Sequence, residues 1–178
     1  LGKPSSSVKR CEPQVVSDIA EIIKCLKPQN LVTHSPFDFH STHVATVACV
    51  FLALMKLKAD ERPQKVFGCE VWGSLDWVPS RFRVLRPTGF DIEWEKKLIG
   101  FHRSQVTSEK DYALGALGRR LANAVFSEQK ENSKSNGGIW SLDLTQAMEG
   151  GLDRYCEEVL AAFSAERMNE LNNYKKDF

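Results

Sequence analysis

Residues 30–57 read NLVTHSPFDFHSTHVATVACVFLALMKL, and this stretch decides the fold that the sequence predicts. Its first five residues, Asn30–His34, are β-prone, and a polar turn separates them from an apolar run that begins near Val44. Apolar residues in that run recur at helical spacing, and the predicted buried stripe consists of Val44, Val47, Ala48, Phe51, Leu52 and Met55. The stretch therefore predicts a strand, a polar turn and a helix.

The flanking segments extend this alternation. An amphipathic helix from Val15 to Leu26 is predicted to end around Lys27 and Pro28, and a helix joined to a strand by a tight connection is half of a βαβ unit. Further along, the patterns predict strands at 65–72 and 81–86, helices at 91–101, 112–126 and 152–174, and loops at 1–13 and 127–138. The sequence thus predicts an α/β fold with a mostly parallel, Rossmann-like sheet and flanking helices.

Three of the four histidines lie in or next to the turn, at His34, His40 and His43. Neutral imidazole binds first-row metals and also titrates near physiological pH, so this spacing indicates a metal site or acid/base chemistry. Loops at the carboxyl ends of parallel strands carry the sites of such folds, and the cluster begins where the strand ends. Asp38 or Ser41 could cap the helix that follows. For His34, direct metal ligation and a hydrogen bond to a backbone carbonyl both remain open.

Composition limits the partners of this cluster. The 178 residues carry 24 Lys and Arg against 23 Asp and Glu, so a net charge of +1 gives no general reason to expect nucleic acid or an anionic membrane as partner. The apolar run from Val44 to Leu57 is too short to span a bilayer. Five cysteines without C-x-x-C spacing argue against a disulfide framework and favour a cytoplasmic setting. We therefore expect a small-molecule substrate.

Several segments together resemble the LmbE/PIG-L family of zinc-dependent de-N-acetylases. Residues 31–45, LVTHSPFDFHSTHVA, resemble the second metal-binding motif of that family, T-H-x-P-x-D-x-H-x-D-H, and are closest to its His-x-Thr-His variant. Similar segments follow in the same order at 69–72 (CEVW), 91–97 (DIEWEKK) and 101–105 (FHRSQ). The resemblance implies that residues 1–126 form the C-terminal portion of a deacetylase domain, with 127–138 as a polar loop and 139–178 as a C-terminal helical extension.

The resemblance also implies residue roles. His43 corresponds to a ligand of Zn²⁺ or another divalent first-row metal, His40 to the general acid, and Asp38 to a group that orients an imidazole. Substrate contacts are expected from Trp77, Arg81, His102 and Gln105, although packing for Trp77 and a helix-terminal position for His102 are alternatives. The implied function is removal of acetyl groups from N-acetylated amino sugars or their conjugates. A metal-dependent hydratase of the same family and a non-catalytic sugar-binding or scaffolding relative are the alternatives.

Two features depart from the family pattern. Thr42 stands where the motif has an aspartate before its last histidine, which removes a charge next to the imidazole. The first metal motif of the family, A-H-P-D-D-E, does not occur in the sequence, and with it the first half of the sheet is missing. We therefore expect an upstream N-terminal segment or a separate chain to supply the other ligands and the catalytic base, with an inactive relative as the alternative. The helix from Leu152 could serve a homo-oligomeric interface.

Overall fold

A computed structural model describes residues 2–88, 91–101, 106–107, 110–127 and 137–175. The chain divides into two compact units, one of residues 1–83 and 141–178 and one of residues 84–140. Seven α-helices are found in the described ranges: α1 (Ser5–Lys9), α2 (Pro13–Leu26), α3 (Ser41–Lys56), α4 (Ile92–Gly100), α5 (Tyr112–Phe126), α6 (Ala147–Gly150) and α7 (Leu152–Lys175). Six strands accompany them: β1 (Asn30–His34), β2 (Lys65–Cys69), β3 (Arg83–Pro87), β4 (Val106–Thr107), β5 (Lys110–Asp111) and β6 (Gly138–Asp143).

The fold is mixed α/β, with an open four-stranded sheet in the order β1-β2-β6-β3. β1 and β2 are parallel and pair Asn30 with Lys65 and His34 with Cys69, so β1, α3 and β2 form a βαβ unit. The sequence had assigned half of such a unit to α2 and β1. β6 runs antiparallel to β2 and pairs Phe67 with Asp143. The sheet therefore contains an antiparallel pair that the prediction of a mostly parallel sheet did not include.

The first unit has its core between α2, α3 and the sheet. Pro13 starts α2, since proline tolerates the first helical position. The helix ends at Leu26 and is followed by Lys27, which has a left-handed φ of 44°. Its buried side chains are Val15, Val16, Ala20 and Ile23. α1 lies in the segment predicted to be a loop and packs on α3 together with α2.

The buried face of α3 differs from the predicted stripe. Val47 and Phe51 are buried as expected, but Val44, Leu52 and Met55 are exposed, Met55 at 73%. The buried set is instead Val47, Cys49, Val50, Phe51, Ala53 and Leu54. α3 is apolar around most of its circumference, so spacing alone did not identify the face that α1, α2 and β1 cover.

The second unit places α4 and α5 against each other. Both helices begin with an aspartate cap: the Asp91 carboxylate accepts hydrogen bonds from the amides of Glu93 and Trp94, and the Asp111 carboxylate accepts one from the amide of Leu114. A pair between the Arg120 guanidinium and the Glu95 carboxylate links the two helices at 2.5 Å. In the described residues, no helix is both long and apolar enough to cross a membrane.

Candidate functional site

The histidine cluster lies at the carboxyl ends of the two parallel strands. His34 and Cys69 are register partners at the last position of β1 and β2. The Ser35 amide donates to the Cys69 carbonyl at 3.0 Å, and the fully buried Ser35 hydroxyl oxygen accepts from the Phe37 amide at 3.0 Å. These bonds fix the start of the turn that leads to α3. The histidine cluster thus begins where the sequence predicted, at the carboxyl ends of the parallel strands.

Asp38 is the buried anion of the turn. One carboxylate oxygen, Oδ1, accepts from the His40 amide at 2.8 Å, and the other, Oδ2, accepts from the Trp72 amide at 3.0 Å. Burial opposes ionisation, but the two amides and His43 outweigh it and hold the pKa of Asp38 below its ordinary value. Asp38 therefore stays ionised in a place that is only 7% exposed and ties the turn before α3 to the loop after β2.

The helix N-terminus itself shows a difference from the expected caps. α3 begins at Ser41 with His40 as its N-cap residue, and neither Ser41 nor His40 provides a capping side-chain hydrogen bond. Asp38 instead bonds the amide of His40, one residue before the helix. Asp38 therefore stabilises the turn from a position before the helix. His40 lies directly before α3, and His43 lies in the first turn of α3.

Three imidazole rings meet at this point. The rings of His34 and His43 stack with centroids 4.0 Å apart and planes 3° apart, and the ring of His40 lies 4.6 Å from that of His43. The exposed Trp72 ring is 5.8 Å from His40. His40 is exposed, whereas the His43 side chain is 19% exposed. The cluster thus offers one open imidazole, His40, beside a partly buried one, His43.

The Asp38 carboxylate faces the His43 ring. The Nδ1 atom of His43 lies 3.3 Å from Asp38 Oδ1, and it has no aligned hydrogen-bond partner among the described residues. The carboxylate favours a proton on Nδ1, which leaves the lone pair on Nε2, the arrangement that metal-binding histidines use. His34 differs, because burial and the neighbouring His43 lower its pKa, so that it is a neutral ring stacked under His43.

The donor set does not complete a metal site within this part of the chain. Across the described ranges, no group of three His, Cys, Asp or Glu side chains could hold a metal ion. A catalytic zinc normally takes three protein ligands. The described residues therefore do not provide a whole zinc centre, and His43 as a ligand stays a prediction.

Trp77 packs between two aromatic side chains in the first unit. Its ring forms T-shaped pairs with Phe37 and with Phe163 of α7, with ring centroids 5.3 Å and 5.2 Å apart. Because Phe37 directly precedes Asp38, Trp77 packs against the turn that carries Asp38. This is the packing alternative for Trp77, and contact with a substrate stays a prediction.

Arg81, another predicted substrate residue, lies away from the histidine cluster. The Arg81 guanidinium pairs with Glu166 of α7 at 3.3 Å and lies 4.7 Å from the centre of the Phe82 ring. Arg81 and Lys65 line a cavity of about 480 Å³. Lys65 is the first residue of β2, whereas the histidines lie near the last residue of that strand. His102 and Gln105 are outside the described residues. The structure thus brings together Asp38, His40 and His43 but not Arg81.

The loop after β2 contributes groups to which the sequence assigned no role. Besides the Trp72 amide on Asp38, the buried Glu70 carboxylate accepts from the Leu75 amide at 3.1 Å and shapes this loop. Gly73 lets this loop pass close to the backbone of Phe37, because a Cβ at position 73 would lie 3.1 Å from the Phe37 carbonyl oxygen. The sequence signal that could have identified these groups is that residues 70–73 directly follow β2, a strand parallel to β1.

Replacing Asp38 by asparagine is expected to make the free energy of unfolding fall less steeply as the pH is lowered. Because the folded state holds the Asp38 pKa below its ordinary value of 3.8, the carboxylate stabilises the fold above pH 3.8, and this is lost as the pH falls through the folded pKa. Asparagine has no such dependence and should cost about 1.5–3 kcal/mol at neutral pH, the range for a hydrogen bond to a charged group. Urea unfolding at several pH values measures both effects.

The exposed Asp60 provides the matched control. Asp60→Asn should unfold like the wild-type protein at every pH. An Asp38→Asn variant that unfolds with the wild-type acid dependence would show that Asp38 is not held ionised by its neighbours.

Replacing Trp77 by alanine is expected to lower the free energy of unfolding by about 1–3 kcal/mol, because two edge-to-face aromatic pairs are lost. Urea unfolding measures the change. Trp77→Phe should recover part of it, since a smaller ring can keep one of the contacts. An unchanged unfolding midpoint in Trp77→Ala would contradict the packing role, and a raised KM in a stably folded Trp77→Phe would support a sugar contact.

Comparisons of the chain with protein-family models, with curated proteins and with solved structures gave no match.

Proposed function

We propose that this chain provides the acid/base and ligand-orienting part of a zinc-dependent amide hydrolase that removes acetyl groups from N-acetylated amino sugars or their conjugates. The observation that carries the proposal is the buried Asp38 carboxylate, 3.3 Å from His43 Nδ1 and bonded to the His40 amide, at the carboxyl ends of two parallel strands. The substrate class rests on the resemblance of residues 31–45 to the second metal motif of the LmbE/PIG-L family.

The proposal includes the finer architecture. In it, β1, α3 and β2 are the second half of a Rossmann-like sheet whose remaining strands are parallel to them. β1 stands at one edge of the four-stranded sheet, next to the histidines. A further strand added there would bring its carboxyl end beside His34 and His43. Such a strand, from an upstream segment or a separate chain, is where the proposal places the remaining ligands and the catalytic base.

In this proposal, the residues of this chain hold and transfer protons. Asp38 keeps the proton of His43 on Nδ1 and thereby directs Nε2 outward. His40, which is exposed and not bonded through its ring to Asp38, delivers a proton from its imidazole to the amine nitrogen as the amide bond breaks. Zinc, when bound, would supply an acidified water and a polarised carbonyl.

The test is release of acetate by the protein purified in its natural assembly. N-acetylglucosamine and its glycosides serve as substrates, with and without a zinc chelator. The proposal predicts acetate release that the chelator abolishes and that added Zn²⁺ restores. Hydration of an unsaturated dicarboxylate without acetate release would contradict it and select the hydratase, and no turnover of either class would favour a non-catalytic relative.

A further inference from the structure

Two cysteines that are distant in sequence are neighbours in the first unit. Cys11 lies between α1 and α2, and Cys49 lies in the middle of α3. Their Sγ atoms are 3.2 Å apart. Cys49 is completely buried, whereas Cys11 is partly exposed. A reagent can therefore reach the pair from the side of Cys11.

The two sulfurs differ in their surroundings. The Cys49 thiol lies within hydrogen-bond distance of two acceptors, Cys11 Sγ at 3.2 Å and the Val8 carbonyl oxygen at 3.4 Å. Burial, and then the neighbouring Cys11, raise the pKa of Cys49 to about 12. Cys49 is fully buried and its thiolate is disfavoured, whereas Cys11 is partly exposed and is the sulfur that a disulfide reagent can reach. Cys11 is thus the nucleophile of the pair and Cys49 the resolving thiol.

The backbone at Cys11 is also specific. Its φ of 46° lies in the left-handed region that favours glycine, and its amide donates to the Val8 carbonyl at 2.9 Å as α1 ends. Cysteine thus stands at a position where glycine would be less strained. This conformation holds the Cys11 side chain against α3, where its Sγ lies 4.0 Å from the Ala45 carbonyl oxygen.

We propose that Cys11 and Cys49 form a reversible thiol–disulfide modification site whose oxidant is a low-molecular-weight disulfide such as glutathione disulfide. The Cys11 thiolate, its proton lost to water, attacks one sulfur of the oxidant, and the oxidant's sulfur–sulfur bond breaks to release one glutathione thiolate. Cys49 then attacks Cys11 Sγ, and its proton and the electron pair of the breaking bond leave with the second glutathione. Two protein thiols are oxidised and one glutathione disulfide is reduced to two glutathione thiols.

The bond would connect the turn between α1 and α2 to the middle of α3, the helix whose first turn carries His43. Oxidation would therefore fix the N-terminal helices on the helix that presents the histidine cluster. A cross-link between positions 11 and 49 closes a long loop and should raise the melting temperature of the oxidised protein. The inference stands on the sulfur geometry and does not depend on the proposed hydrolase.

The test is peptide mapping by mass spectrometry after the folded protein has been incubated with glutathione disulfide, quenched with acid and alkylated. The expected product is a peptide pair joined through Cys11 and Cys49, which dithiothreitol separates, with a melting temperature that rises on oxidation and falls on reduction. A lasting glutathione adduct on Cys11, full alkylation of both thiols, or a disulfide between another pair would overturn the proposal.

Two variants distinguish the roles of the sulfurs. In Cys49→Ser, the reaction should stop at the glutathione adduct of Cys11. In Cys11→Ser, Cys49 should stay unmodified, because the oxidant reaches this buried thiol only through Cys11. Cys25→Ser, at an exposed cysteine, is the matched control and should form the same disulfide as the wild-type protein. The peptide map of the wild-type protein decides the question even where a variant does not fold.

Discussion

Replacing His40 by alanine is expected to slow turnover by about 100- to 10,000-fold while the bound metal is retained, the range for loss of a general acid or base. His40 is the open imidazole of the cluster, 4.6 Å from the ring of His43 and next to Trp72. Its backbone amide, not its ring, bonds to Asp38, so the turn can keep its shape without the imidazole. The kcat of acetate release and the zinc content of the same sample measure the effect.

The neighbouring exposed Ser41 supplies the control, because its hydroxyl does not cap α3. Ser41→Ala should keep the kcat, the KM and the metal content of the wild-type protein. A His40→Ala variant with wild-type kcat would exclude His40 as the proton donor. Loss of zinc from that variant would instead make His40 a ligand.

The second large effect is expected at His43, where alanine should abolish metal retention. Its Nδ1 atom faces Asp38 at 3.3 Å, which leaves Nε2 as the ligand atom, and a zinc site that loses one of three protein ligands binds far more weakly. Equilibrium dialysis against zinc, followed by elemental analysis of the native assembly, measures the loss.

Two variants accompany this measurement. Asp38→Asn removes the carboxylate that orients His43 and should weaken metal binding by about 10- to 100-fold, less than loss of the ligand itself. Ser41→Ala should bind zinc like the wild-type protein. Equal metal occupancy in His43→Ala and the wild-type protein would refute the assignment of His43 as a ligand.

The sequence predicted the local order of the site well. The strand predicted at Asn30–His34 agrees with β1, the helix predicted at 112–126 agrees with α5, and the three histidines flank or lie in the turn between β1 and α3. These elements have short-range signals: a β-prone run, an apolar stripe with an aspartate cap, and polar residues in the turn. Asp38 and His43 are only five residues apart, so their approach follows from the turn itself.

What the sequence did not predict depends on long-range contacts. β6 lay in a segment interpreted as a helical extension, and its antiparallel pairing with β2 joins residues more than 70 positions apart. The buried face of α3 was wrong at Val44, Leu52 and Met55, because α3 is apolar on nearly every side and its neighbours select the face. The Trp72 amide on Asp38 could not be foreseen either, since a backbone donor has no signature in the side-chain pattern.

The measurement that tests the central claim most directly is native mass spectrometry of the protein purified from its natural source. It weighs the intact assembly and its bound metal together. The account predicts a particle that contains this chain with further polypeptide, heavier than the 20.1 kDa of these residues, and one zinc per active unit. A metal-free particle, whether of 20.1 kDa or a multiple of it, would contradict the account and show that the histidine cluster does not serve zinc chemistry.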